Sequence, residues 1–164
     1  MASKKELPRW ISSERVPFAM FGIETGPGWK PIAKRVIDAI IEYNDNAPDN
    51  STIYIDQVKE KFAMLEIYVT YENVPEDVVE RINSMISEAR QEASETCEFC
   101  GTKENVGTQV NGWYTVLCED CARTRTKKSP YYQEVGIKWK RASDGKLFHI
   151  TQKETKEIND KKEQ

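Results

Sequence analysis

Apolar residues recur at three- and four-residue steps over two stretches of this chain and alternate over several others, which sorts it into helices and strands. Ile32, Ala33, Val36, Ile37, Ile40 and Ile41 mark an amphipathic helix over about 30–44, with Pro31 in its first turn. Asn44 to Asn50 is a loop by its turn residues. Thr52–Val58 and the alternating run Leu65, Ile67, Val69, Tyr71 then predict a hairpin, with Lys59-Glu60-Lys61 as its connection. Asn73 with Glu76 three residues on reads as a capping box. It opens the longest helix, whose stripe of Val78, Ile82, Met85, Ile86, Ala89 and Ala93 runs to about Thr96.

Beyond that helix, Val106, Thr108 and Val110 alternate, Asn111-Gly112 is a strong hairpin signal, and Trp113–Leu117 return as a second strand. Thr124–Pro130 reads as a basic linker. Tyr131–Arg141 and Leu147–Thr151 flank Ser143-Asp144-Gly145 and predict a final β-ribbon. The ends are polar. Residues 1–15 form an arm with Trp10 and Ile11 as its apolar pair, and 152–164 form a disordered or solvated tail. Between them lie a body over 16–96, a cysteine module over 97–126 and the linker with its ribbon over 127–151. The fold class is therefore α+β, with helix and hairpin packed on a long helix that leads into the cysteine module.

The cysteines give this layout its chemistry. All four lie in two Cys-x-x-Cys pairs, Cys97/Cys100 and Cys118/Cys121, with 17 residues between the pairs. Two such turns complete a tetrahedral shell of four thiolates around one structural Zn²⁺, with Zn–S distances of about 2.3 Å. Glu119, Asp120, Ala122 and Arg123 permit a helix whose first turn carries the second pair and points backbone N–H groups at the sulfurs. Knuckle, hairpin and ligand-bearing helix together make a treble clef. Disulfides would be the alternative in a secreted protein. Met1–Glu6 lead into Pro8, Arg9 and Trp10 without an apolar run, and no stretch approaches the ~20 apolar residues of a membrane span. The expectation is a soluble cytoplasmic protein with reduced, metal-binding cysteines.

Net charge, at −3 for 164 residues, names no partner, but its distribution does more. Residues 123–146 carry eight Lys or Arg against Glu134 and Asp144, a net of +6, which leaves −9 for the rest. Within that segment Tyr131, Tyr132 and Trp139 interleave with cations. Phosphates could meet Arg123, Arg125, Lys127, Lys128, Lys138, Lys140 and Arg141, while unpaired bases stack on Tyr131 and Trp139.

Gly26-Pro27-Gly28-Trp29, Gln57-Val58-Lys59-Glu60-Lys61-Phe62, the Cys-x-x-Cys-Gly knuckle and Asn111-Gly112-Trp113 followed by Leu117-Cys118 and Cys121 occur here in one order. In this the chain resembles a family of small, mostly uncharacterised proteins of tailed bacteriophages, over about residues 17–123. In that family a Gly-Gly pair and a basic residue usually follow the Gln-Val-Lys-Glu-Lys-Phe segment; here Ala63-Met64 and Glu66 stand there. The resemblance implies a phage origin, action in the host bacterial cytoplasm and a zinc-stabilised fold. It supplies no catalytic residue.

Catalysis finds little support in the residues. Treble clefs occur in histidine-containing nucleases, but the single histidine, His149, lies far downstream of the cysteines, and four thiolates leave zinc no open position for substrate. A zinc-containing nuclease-like enzyme is thus the lesser alternative to two binding functions. One is docking on a host bacterial protein to modulate or inhibit it, through aromatics such as Trp10, Tyr54, Tyr68 and Trp113. The other is binding of single-stranded nucleic acid by the basic segment. Gly26–Trp29 lacks the spacing of a phosphate-binding loop and reads as the turn that leads into the first helix.

Overall fold

A computed structural model of the chain describes residues 18 and 21–158. The expected arm, with Trp10 and Ile11, and the last six residues of the tail lie outside them. The elements run β1 (Ile23–Glu24), α1 (Lys30–Asn46), β2 (Thr52–Lys61), β3 (Met64–Glu72), α2 (Glu76–Ser94), β4 (Val106–Gln109), β5 (Thr115–Cys118), α3 (Glu119–Lys128), α4 (Pro130–Val135), β6 (Ile137–Arg141), β7 (Leu147–Ile150) and β8 (Thr155–Glu157). Over the described residues this is a mixed α+β chain with two sheets, and it divides into two compact units.

The first unit comprises the described residues up to Thr25, Lys30–Glu60 and Leu65–Arg90. Its sheet has the order β1-β2-β3, with β1 parallel to β2 through the pairs Ile23↔Val58 and Glu24↔Lys59. The apolar stripe of α1 buries Ile32, Ala33, Val36, Ile37 and Ile40, and the strands bury Ile53, Ile55, Val58, Leu65 and Ile67. Asn44, also buried, bonds both backbone groups of Ile53: its Nδ2 donates to the carbonyl and its Oδ1 accepts from the N–H, each at 2.9 Å. These contacts join the last turn of α1 to the start of β2. The hairpin is longer than its sequence suggests. Lys59–Lys61 continue β2, and the connection is Phe62-Ala63, with φ of 50° and 64°. A two-residue turn needs positive φ at both positions to match strand twist, so the strands zip three residues further than charge patterning indicates.

The second unit comprises Gly26–Trp29, Lys61–Met64 and the chain from Gln91 onward. Its sheet has the order β5-β4-β6-β7-β8, with every neighbouring pair antiparallel. Three expectations are corrected here. The expected ribbon is no separate element: β6 pairs with β4 through Gly107↔Arg141, Thr108↔Lys140 and Gln109↔Trp139. The stretch expected as a basic linker is helix α3 and the start of α4. Acidic Glu119 and Asp120 occupy the first turn of α3 and Arg125, Lys127 and Lys128 the last, the order that complements the helix dipole. Ser129 then caps α4, accepting from Tyr132 N, with Pro130 at the first helical position, so the expected strand begins at Ile137 rather than Tyr131. Finally, the expected loose tail contains β8, which extends the sheet through Ile150↔Thr155 and its neighbours.

Gly107 decides how this sheet packs. A β-carbon there would lie 2.4 Å from the Trp139 ring, so the missing side chain is the space the indole occupies. Trp139 is 1% exposed, donates from Nε1 to Leu117 O at 2.9 Å, and packs beside Phe148. Ile137, Ile150, Leu117 and Ala122 are buried in the same unit.

Candidate metal centre

The chain leaves α2 at Ser94, and two backbone bonds close the knuckle that follows: Cys97 N–H to Thr102 O at 2.8 Å and Gly101 N–H to Cys97 O at 3.0 Å. Gly101 takes φ +80°, which lets the turn fold back on itself. The β4–β5 hairpin then returns the chain, with Val106 paired to Cys118. Cys118 is also the N-cap of α3, and its sulfur accepts from Cys121 N–H at 3.3 Å. The second pair is thus set by a helix start, as Glu119, Asp120, Ala122 and Arg123 led one to expect.

All four sulfurs lie within 4.8 Å of one another, and Cys100 and Cys118 are 3.7 Å apart. A tetrahedron with metal–sulfur bonds of about 2.3 Å has edges of about 3.8 Å, so this separation suits two ligands of one ion. It is far too long for a disulfide, and all four cysteines are free thiols. Cys97 and Cys118 are buried, Cys121 is half-buried and Cys100 is exposed. The cluster can therefore hold a metal ion at the edge of the unit.

The charges of the donor set point the same way. Burial opposes ionisation of Cys97, but backbone N–H groups of Cys100, Cys118 and Phe99 together outweigh it and hold its pKa below the ordinary value. Burial pushes Cys118 up to about 11. Burial, with the nearby sulfurs of Cys118 and Cys97, raises Cys121 as well. Four adjacent thiolates repel one another, and a divalent cation among them supplies the opposing charge that lets all four ionise.

Residues about 70 positions upstream support the knuckle, a relationship that spacing alone did not reveal. Gly28 N–H donates to Glu98 O at 2.7 Å, Gly26 N–H to the Glu98 carboxylate at 3.0 Å, and Trp29 Nε1 to Thr96 O at 2.8 Å. Trp29 is fully buried. The Gly-Pro-Gly-Trp turn is thus more than the lead into α1: it backs the first cysteine pair. Its signal in the sequence was two glycines flanking a proline before a tryptophan, a composition that suits close backbone approach.

The basic segment separates into different environments. Trp139 lies in the core, so it presents no face on which a base could stack. Arg123 bonds Thr155 and pairs with Glu119 at 3.5 Å, tying β8 to α3. Arg141 pairs with Asp144 inside its own turn and lies over the Phe148 ring. Arg125 donates to Gln109 Oε1 at 2.7 Å and to Thr115 Oγ1 at 3.4 Å. Lys127, Lys128, Tyr131 and Lys140 are exposed, and Lys138 is half-buried. His149 Nε2 lies 2.9 Å from Val135 O; a carbonyl only accepts, so Nε2 carries the proton. Of the aromatics expected at a protein interface, Trp113 and Tyr68 are exposed and Tyr54 is half-buried.

Among the described residues no helix is long and apolar enough to cross a membrane. No protein-family model, curated protein or solved structure matches the chain.

Proposed function

We propose that the chain is a zinc-stabilised binding protein without a catalytic centre, whose second unit is a treble clef built on Cys97, Cys100, Cys118 and Cys121. The observation that carries this reading is the convergence of four sulfurs within 4.8 Å. Zinc is the ion favoured by an all-thiolate tetrahedral set. With four protein ligands the ion has no vacant position at which to activate water, so it acts by holding the knuckle, the β4–β5 hairpin and α3 together. The resemblance to tailed-phage proteins supports action in a host bacterial cytoplasm, by docking on and modulating a host protein. Trp113 and Tyr114, 68% and 48% exposed at the tip of the β4–β5 hairpin, are the anchors such a contact would use. Affinity purification from phage-infected cells, with nuclease treatment as the control, tests the partner. Recovery of one stoichiometric host protein, lost on Trp113→Ala, is expected; recovery of none would refute docking.

A further inference from the structure

Beside the metal centre, on the side of α3 that faces the knuckle, lies a cleft of about 390 Å³ lined by Phe99, Cys121, Thr124, Arg125, Lys128 and Ser129. Its walls combine three properties. Among the described residues they are mainly apolar, carry two cations and contain no carboxylate. Phe99, between the two ligands of the first pair, is 39% exposed, and the Arg125 guanidinium sits 5.0 Å from its ring centroid. The hydrogen-bond acceptors of Arg125, Gln109 and Thr115, are neutral, so they fix the guanidinium without cancelling its charge. Among the described residues no carboxylate makes an ion pair with Arg125 or Lys128. Lys127 is exposed next to Lys128, and Tyr131, 59% exposed, follows two residues after Ser129.

We propose that this cleft binds single-stranded nucleic acid, seating one unpaired base against Phe99 with the adjoining phosphates at Arg125 and Lys128. The walls ask for a ligand that is flat and apolar in one part and anionic in the next. A nucleotide within a strand has that chemistry, and stacking on an aromatic ring tolerates any base. The concavity selects an unpaired strand, because a base inside a duplex cannot leave its stack to enter a pocket without added cost. The cations that serve are therefore Arg125 and Lys128, which line the cleft, and not the whole run to Arg141. The site rests on the zinc-stabilised reading, since Phe99 is positioned by Cys97 and Cys100. It stands beside the protein-docking tip, as in a factor that acts on a nucleic-acid machine.

The test is fluorescence anisotropy of the full chain with labelled oligo-deoxythymidine of about 20 nucleotides, a site size suited to such surfaces. Zinc content is measured on every variant. Two phosphate contacts predict that log affinity falls against log salt with a slope of about −1.4. Lys128→Ala should make that slope shallower by about 0.7. Phe99→Ala should weaken binding roughly five- to one-hundred-fold with the slope unchanged, and Phe99→Tyr should restore it. Lys140→Ala, on β6, should leave affinity within about twofold, since it makes no phosphate contact in this arrangement. Absent binding at low salt, full affinity in Phe99→Ala, equal affinity for a duplex of the same length, or displacement by polyglutamate as effective as by unlabelled oligonucleotide would each overturn the proposal. The last result would assign the cleft to an acidic protein segment. A wild-type chain without zinc would instead refute the metal reading, whatever the oligonucleotide does.

Discussion

Gly28 and Cys97 are 69 residues apart in sequence, yet a β-carbon added to Gly28 would lie 2.2 Å from the Cys97 carbonyl oxygen. It would also lie 2.6 Å from Gly101 N and 2.8 Å from Glu98 O. All three are backbone atoms of the knuckle, and none can move without disturbing the first cysteine pair. The glycine is required by close approach, not by turn geometry. Gly28→Ala should therefore cost at least about 1–3 kcal/mol in denaturant unfolding and lower the metal affinity measured by chelator competition. Unchanged metal affinity would show that the turn is not a support of the knuckle.

Trp139 was expected at a nucleic-acid surface and instead fills the space over Gly107. Trp139→Ala should destabilise the second unit by about 3–5 kcal/mol, read from urea unfolding. Any loss of oligonucleotide binding in that variant should follow its unfolded fraction and disappear at temperatures where it is folded. A folded variant with selectively reduced binding would return Trp139 to the surface.

Ala63 carries φ +64° in the hairpin turn, a conformation that costs an L-residue about 1–2 kcal/mol and glycine almost nothing. Glycine also has more freedom to lose on folding, which offsets part of the gain. Ala63→Gly is expected to raise stability by about 0.5–1 kcal/mol, visible as a higher urea midpoint with an unchanged slope. A lower midpoint would show that the turn is not under strain.

The Asp144 carboxyl is held at about 2, first by its hydrogen bond to the Arg141 side chain and then by Lys146 N–H. The folded value lies below the ordinary 3.8, so the contribution is full above about pH 4 and lost as pH falls through about 2. Asp144→Asn should accordingly be less stable than the parent at neutral pH, with the two curves converging between pH 4 and 2. A constant difference across that window would show that the carboxylate charge plays no part.

The cysteine cluster was legible because two Cys-x-x-Cys pairs at this spacing answer to one coordination geometry. The helices were legible because the stripes of α1 and α2 have helical period. What the sequence concealed was mostly long-range. Nothing local marks β4 as the strand between β5 and β6, since Val106–Gln109 reads equally well as half of an isolated hairpin. Arg125 and Arg141 look like members of one basic run, but Arg125 reaches from α3 to Gln109 on β4 while Arg141 pairs with Asp144 inside its own turn. The Ser129-Pro130 helix start was a local signal, masked by the aromatic and basic residues around it. The Gly26–Trp29 turn could be recognised as a turn, whereas its contact with Glu98 depends on a fold that brings residues 72 apart together.

The most direct test of the central claim is native mass spectrometry of the purified full chain, before and after chelation, with thiol alkylation alongside. The account predicts one zinc ion per chain and four cysteines protected from alkylation until the ion is removed. Its loss should be accompanied by collapse of the β4–β5–α3 structure, and acid should release the ion as protons compete for the thiolates. A chain that is folded, metal-free and has four freely alkylated cysteines, with unfolding unchanged by chelator, would contradict it.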